Sequence, residues 1–443
     1  MEKYFGHISF PDHTHENIEG AWLIMEENRM YIEVGTDDFT NPYWPVVIGN
    51  FTGMGHLTFI QCEFSGGIMG GGGSYRKLIF RAMLKGIQIT DPMQLQFSEL
   101  RFDPSSFVNW MGYNDELSVD FETKIVQIPE TKTIFQSEMD GFQLIMEYRY
   151  GESISAEGVK ISRVFLLRIL FTEPQSIDQF LLRIHQLRRF MLFMTMQNLN
   201  YTRMLFKTGP EATDFSEFIM KIQDNIEDKY SMNFLVPFEY VANRLVEVFQ
   251  VWFENKKLQT ILELLQEGYF NPQLSVQKSF LNMCVAIESF DSLANKNKAV
   301  ALDPDQELAK ERRKQILALL LSDKELYDWF EGKSSSWHNR SFMQRLEHFK
   351  ERIEFLVPDL PLSGADLMKN ITLTRNGLAH RGIPNGISSL DELRIVGKTL
   401  ELTLKLSIME FLGIPTRNKY KSLENESQQM LLMMSKFLNR RNN

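Results

Sequence analysis

Cysteine is scarce in this chain, and its scarcity excludes two kinds of site. Among 443 residues only Cys62 and Cys284 are cysteines, and they lie far apart without a CxxC partner. Such a pair supports neither a disulfide framework nor a cysteine-based zinc site. We therefore expect a reducing, cytoplasmic compartment, because disulfides persist mainly in oxidising ones.

Long hydrophobic runs are also missing. The longest, residues 190–194 and 316–321, are far shorter than the roughly 20 residues that a membrane-spanning helix needs. The first residues lack the apolar stretch of a signal peptide. The sequence therefore predicts a protein with no membrane partner.

The chain has no excess of basic residues, since 48 Lys and Arg stand against 57 Asp and Glu, a net charge of −9. A protein that coats nucleic acid is normally basic, so any RNA contact is expected to be local, as in an enzyme site. With 43% hydrophobic residues, the chain can build packed cores in two or three domains.

The first part of the chain is predicted to be β-rich. Aromatic and β-branched residues recur between turn signals such as Asn41-Pro42 and Asp103-Pro104. The glycine-rich segment 66–74 is interpreted as a mobile loop between strands. Predicted strands cover residues 30–34, 44–48, 57–64, 77–80, 125–128 and 164–171. An antiparallel sandwich or a bent barrel fits this pattern.

Helical spacing begins after Pro174, where Ser176 is a plausible N-cap for a helix running towards residue 198. A short strand is predicted at 203–207, and the chain is predicted to be helical almost throughout from about Phe215. These helices cover residues 238–254, 258–266, 275–294, 305–321, 342–356, 366–381, 390–412 and 427–440. The predicted fold class is α+β: a β-rich N-terminal domain (1–207), a helical connector (208–271) and an all-α bundle (272–443).

One hexapeptide near the end of a predicted helix, Arg375-Asn376-Gly377-Leu378-Ala379-His380, carries groups for chemistry. Gly382 is a natural left-handed terminator, which puts His380 in the last helical turn. Asn376 and His380 are four residues apart and share a helix face, and the long fork of Arg375 can reach the same side. The helix dipole favours a protonated imidazole there, whereas the neighbouring arginines oppose it.

RNA cleavage requires little beyond such a trio, because the ribose 2′-hydroxyl is a built-in nucleophile. Arginine can stabilise the phosphorane, and histidine can move protons at neutral pH. No metal or other cofactor is needed for these steps. One helix end offers one histidine, and two copies facing each other in a homodimer would offer two.

The hexapeptide resembles the Arg-x4-His signature of HEPN-domain ribonucleases, with asparagine as the polar residue after arginine. Upstream, residues 280–290 are similar to an early helix of that family with a glutamate, Glu288, at its centre. Residues 341–349 resemble the helix before the motif, and residues 251–253 resemble the family's lead-in. With its β-rich front half, the chain resembles the Apea-type HEPN proteins of bacterial anti-phage defence.

This resemblance implies a homodimeric, metal-independent endoribonuclease that arrests growth of an infected cell. Arg375 and His380 would be catalytic, Asn376 would orient them, and Glu288 and Arg381 would support the site. The expected substrate is an unpaired RNA loop, for which a tRNA anticodon loop is a reasonable example. A phage-derived trigger protein is expected to act on the N-terminal domain.

A second interpretation is not catalytic. The helical bundle would then be a dimerisation module, or a module that binds RNA or protein, and Arg375 and Asn376 would cap or bridge helices. Loss of cleavage on substitution of His380 separates the two interpretations.

Overall fold

The computed structural model forms two compact units, Met1–Glu254 and Asn255–Asn443. It describes residues 1–11, 17–26, 29–35, 42–70, 73–102, 105–111, 118–120, 125–127, 132–155, 158–195, 203–209, 214–220, 236–271, 273–294, 304–334, 341–356, 365–387 and 389–415. A β-rich first unit is followed by a helical second unit, which confirms the predicted fold class.

Antiparallel strands dominate the first unit. They are β1 (Glu2–Ser9), β2 (Asn17–Met25), β3 (Met30–Val34), β4 (Tyr43–Phe51), β5 (Gly55–Gly70), β6 (Gly73–Lys85), β7 (Phe97–Phe102), β8 (Ser118–Asp120), β9 (Ile125–Gln127), β10 (Lys132–Met139), β11 (Phe142–Ser155), β12 (Gly158–Gln175), β13 (Arg203–Thr208) and β14 (Ser216–Ile219). All seven predicted strands, including the short one at 203–207, overlap observed strands, and β3 has the predicted bounds.

Six of these strands close into a barrel, in the order β6–β3–β2–β1–β4–β5, because β5 also pairs with β6. Alternation along the strands turns one row of side chains inward, where apolar groups fill the interior. This core includes Ile8, Leu23, Ile32, Val47, Phe51, Phe59, Leu78 and Met83. The predicted bent barrel is therefore confirmed for this part of the chain.

Beyond the barrel, β6 continues into an open sheet in the order β14–β13–β7–β12–β11–β10. The same unit contains three α-helices: α1 (Ser105–Met111), α2 (Ile177–Thr195) and α3 (Leu245–Glu254). Phe180 of α2 stacks on Phe97 of β7 with ring centroids 4.1 Å apart, which fixes the helix on the sheet. Short 3₁₀ helices occur at Pro92–Gln94, Phe238–Tyr240 and Ala242–Arg244.

Two sequence predictions are wrong in this unit. Ser216–Ile219 is strand β14 and not helix, because it pairs with β6 and β13 and buries Phe218. The glycine-rich segment belongs mostly to strands, since β5 runs to Gly70 and β6 starts at Gly73. At β14, pairing with the distant strand β6 overrides the local propensity of the chain, whereas the glycine-rich segment is part of the β5–β6 hairpin, in which Gly70 pairs with Gly73. The division at residues 207 and 271 stays a prediction.

The second unit contains α4 (Lys256–Phe270), α5 (Val276–Ala294), α6 (Pro304–Leu319), α7 (Lys324–Ser334), α8 (Phe342–Leu356), α9 (Ala365–Arg381) and α10 (Leu390–Phe411). Sequence analysis missed α7, whose start is marked by Asp323 accepting a hydrogen bond from the Leu326 amide. The predicted helix 427–440 lies outside the described residues. Within the described part of the chain, every helix falls short of the length and apolarity that a bilayer crossing requires.

Candidate active site

Helix α9 ends where the sequence predicted, and its last turn carries the candidate histidine. Gly382 adopts a φ of +68°, and its amide donates to the Leu378 carbonyl at 3.3 Å. A left-handed residue of this kind ends the helix with little steric cost only when it is glycine. His380 and Arg381 therefore occupy the final turn, and both are exposed.

The chain after α9 folds back onto the helix and is held there by a threonine. The Thr374 hydroxyl accepts from the Ile387 amide at 2.8 Å and donates to the Asn370 carbonyl at 2.7 Å. The close approach requires Gly377, since a Cβ atom there would lie 2.5 Å from the Ile383 carbonyl oxygen. This glycine of the motif thus permits the backbone packing beside the site.

Arg375 is fixed by contacts from two other helices and from its own neighbour. Its Nη2 donates to both carboxylate oxygens of Glu288 on α5, at 3.1 and 3.0 Å. Nη1 donates to Asn376 Oδ1 at 3.0 Å, and the Phe342 ring of α8 lies 5.7 Å from the guanidinium carbon. The side chains of Arg375 and Glu288 stay 24% and 26% exposed, so solvent reaches the pair.

The predicted residues thus divide into two groups. Arg375, Asn376 and Glu288 are brought into one connected cluster. His380 and Arg381 lie on the exposed end of the same helix, and neither forms a hydrogen bond or ion pair with any residue that the structure describes. This leaves the imidazole accessible to a ligand from solution.

Arg345, which was not among the predicted site residues, ties α8 to α5 beside the cluster. Its Nη1 donates to the Glu288 carbonyl at 3.0 Å and to Ser292 Oγ at 2.6 Å, and it pairs with buried Asp291 at 3.2 Å. The sequence signal for this contact was a basic residue, Arg345, on the predicted helix 342–356 and an acidic residue, Asp291, three positions after Glu288. Arg345 therefore positions the backbone that carries Glu288.

Cys284 lies one turn before Glu288 on α5 and is fully buried. Burial raises the pKa of its thiol well above the ordinary value, despite the nearby Arg375 cation. A thiol held neutral is a poor nucleophile, so Cys284 acts as a small packing residue.

The end of α9 can bind an anion through Arg375 and exchange a proton through His380. No three of the described His, Cys, Asp and Glu side chains converge in a way that could hold a metal ion. The groups that the end of α9 offers to a ligand are a guanidinium, an amide and an imidazole.

Two family models match the chain. The model of ApeA N-terminal domain 1 matches residues 3–252, and the model of the Apea-like HEPN domain matches residues 281–418. No curated protein and no solved structure gives a match. A HEPN domain suggests ribonuclease activity in general, so these matches support a nuclease-like role in anti-phage defence. The chain belongs to the ApeA family of HEPN-domain proteins.

Proposed function

We propose that this protein is a metal-independent endoribonuclease of anti-phage defence whose catalytic residues are Arg375 and His380. The observation that carries the proposal is the end of α9, which carries a guanidinium held by Glu288 and, five residues later, an exposed histidine. Asn376 orients the guanidinium through its Oδ1.

The proposed reaction is attack of a ribose 2′-hydroxyl on the adjacent phosphorus. One imidazole takes the proton of the 2′-hydroxyl, and the bond from phosphorus to the 5′-oxygen breaks as that oxygen receives a proton. Arg375 stabilises the charge on the phosphorane oxygens, which is the electrostatic role that an arginine performs best. The products are a 2′,3′-cyclic phosphate and a free 5′-hydroxyl.

The ion pair with Glu288 is compatible with phosphate binding. A guanidinium has five N–H donors, and within the described residues Arg375 donates only from Nη1, to Asn376, and from Nη2, to Glu288. A phosphate can therefore draw on the guanidinium while Glu288 still limits its rotation. Arg381, exposed in the same turn, supports this site by its positive charge.

Two proton transfers are needed, and one α9 supplies one histidine. We therefore propose a homodimer in which His380 of each copy serves the same phosphate. Each histidine is exposed in its own chain, as a shared site requires.

The proposed substrate is an unpaired RNA segment, such as a tRNA loop, because in-line attack needs a flexible backbone. Uncontrolled cleavage would kill the host cell. We therefore propose that the N-terminal domain restrains the activity until a phage-derived protein binds it.

The test uses the full chain, incubated with total RNA in EDTA, and RNA taken from phage-infected cells that express it. We expect cleavage with 2′,3′-cyclic phosphate ends, reduced by about 100-fold or more in His380→Ala and Arg375→Ala. His56→Ala is the matched control, because it removes an exposed histidine from the barrel unit. If His380→Ala cuts as well as the parent, the catalytic assignment is wrong.

The Arg375–Glu288 pair also fits the non-catalytic interpretation, in which arginine merely bridges two helices. That interpretation expects Arg375→Ala to lower the free energy of unfolding while leaving any RNA cleavage unchanged. Measuring unfolding and cleavage on the same preparation separates the two.

A further inference from the structure

A second feature of the helical unit is a cavity between α4, α5 and α10, with a volume of about 250 Å³. Its apolar wall is formed by side chains of Leu264, Leu265, Leu274, Phe280, Met283 and Leu393. An apolar cavity of roughly 150 Å³ accepts a benzene molecule, so this one has room for an aromatic ring and a small head group.

The floor of the cavity is a buried polar cluster around Glu401. The Tyr269 hydroxyl donates to Glu401 Oε1 at 2.7 Å, and Lys398 Nζ donates to Oε2 at 2.6 Å. Lys405 Nζ lies 3.0 Å from Oε1 and is itself buried. The negative charge of this carboxylate is offset by the ammonium groups of Lys398 and Lys405, so it does not repel an incoming anion.

Two cations stand one helical turn apart on the cavity wall, Arg394 and Lys398 of α10. An ammonium has three donors, and Glu401 is the only hydrogen-bond acceptor of Lys398 in the part of the chain that the structure describes. Among the described residues, Asp391 is the one ion-pair partner of Arg394, at 3.5 Å, and both of these side chains are mostly exposed. The pair thus offers an anionic group several donors on one helix face.

Two glycines inside helices also line the cavity, Gly268 of α4 and Gly397 of α10. A glycine within a helix is less favourable than alanine, so it normally marks a close contact. Here a Cβ atom on Gly397 would meet no described atom within 4 Å, and one on Gly268 would touch only Leu274 at 4.0 Å. Close packing against neighbouring residues therefore does not explain these glycines. Because neither has a side chain, both leave space in the cavity.

From the apolar wall, the two cations and the open glycines together, we infer that this cavity binds a small amphiphilic anion. The ligand has an apolar body of about one aromatic ring and one carboxylate or phosphate head. The ring lies against Leu264 and Leu274, which are the partly exposed leucines of the wall, and the head lies between Arg394 and Lys398. This inference does not depend on the proposed nuclease activity.

The test measures binding to the full chain by calorimetry with three probes of matched shape: phenylacetate, phenyl phosphate and the neutral phenylacetamide. We expect one anion to bind each chain, and the amide to bind about 10- to 100-fold more weakly, as loss of a charge-assisted hydrogen bond implies. The stronger of the two anions identifies the head group.

Three variants locate the site. Gly397→Leu fills the cavity and should abolish binding, whereas Gly397→Ala should retain it in a chain with a higher melting temperature. Lys398→Met should weaken anion binding about 10-fold or more, with Lys257→Met, an exposed lysine of α4, as its matched control.

The inference is overturned if neither anion binds up to about 5 mM, a concentration that excludes even weak specific affinity. It is equally overturned if the amide binds as well as the anions, or if folded Gly397→Leu binds like the parent. Circular dichroism shows whether each variant is folded. Since RNA cleavage is not the readout, failure here leaves the proposed function standing.

Discussion

In the helical unit, the cluster at Glu288 and the cluster at Glu401 differ in their access to water. Glu288 is 26% exposed and holds one arginine. Glu401 is only 11% exposed and receives hydrogen bonds or ion pairs from Tyr269, Lys398 and Lys405. The same residue type therefore occupies two electrostatic environments within one helical bundle.

The difference in exposure determines what each cluster can do. Burial alone would raise the pKa of Glu401, but the ammonium groups of Lys405 and Lys398, with hydrogen bonds from Lys398 and Tyr269, lower it to about 2. Removing one partner from a buried pair of this kind is costly, whereas a half-exposed pair is screened by solvent. The Glu401 cluster is thus suited to holding helices together, and the Glu288 cluster leaves its arginine accessible.

Glu401→Gln should produce the largest effect on stability. The neutral amide leaves the buried Lys405 ammonium without its counter-charge, so we expect the free energy of unfolding to fall by about 3 kcal/mol. Urea unfolding followed by the helical far-UV signal measures this loss. If Glu401→Gln lowers the free energy of unfolding less than Glu288→Gln does, the Glu401 cluster is not the more stabilising of the two.

Acid should destabilise the helical unit through the same carboxylate. The folded pKa of Glu401, about 2, lies below its ordinary value of 4.5. Its contribution is therefore complete above about pH 4.5 and is lost as pH falls towards 2, a change on the order of 3 kcal/mol. The difference in unfolding free energy between the parent and Glu401→Gln should shrink across this range. If this difference stays constant from neutral pH to about pH 2, the pKa of Glu401 is not lowered in the folded protein.

Arg375→Lys should affect chemistry more than stability. Lysine keeps the charge but loses the planar fork, so we expect cleavage to fall about 100-fold, equivalent to about 2.7 kcal/mol. The free energy of unfolding should change by less than about 1 kcal/mol, because the pair with Glu288 is partly exposed. Arg244→Lys, an exposed site in the first unit, controls for the substitution itself. Equal cleavage by Arg375→Lys and the parent would show that only the charge matters.

Glu288→Gln should have the smallest effect on stability. Loss of its charge removes a solvent-accessible ion pair, and we expect a change of about 1 kcal/mol or less in unfolding free energy. Cleavage should fall more than this value implies, because Arg375 loses the group that limits its rotation. Unfolding and cleavage measured together test that separation, and a large loss of stability with unchanged cleavage would assign Glu288 to packing alone.

Local sequence signals were sufficient wherever a short stretch of backbone decided the outcome. The bounds of β3 and α8 match the predictions, and Gly382 ends α9 as expected. These features depend on periodicity, glycine conformation and capping within a few residues. The Arg-x4-His motif belongs to this class, because Asn376 and His380, four positions apart, share a face on any α-helix.

Only the tertiary structure decided which distant residues meet. Pairing of β5 with β6 closes the barrel, and pairing of β14 with β6 turns a predicted helix into a strand. Arg375 meets Glu288 across 87 residues, and Tyr269 meets Glu401 across 132. Such contacts depend on how whole helices and strands pack, and local propensity contains no information about them. The sequence alone thus determined most of the helices, part of the strands and the motif, while packing decided which glutamate is buried and which arginine remains open to solvent.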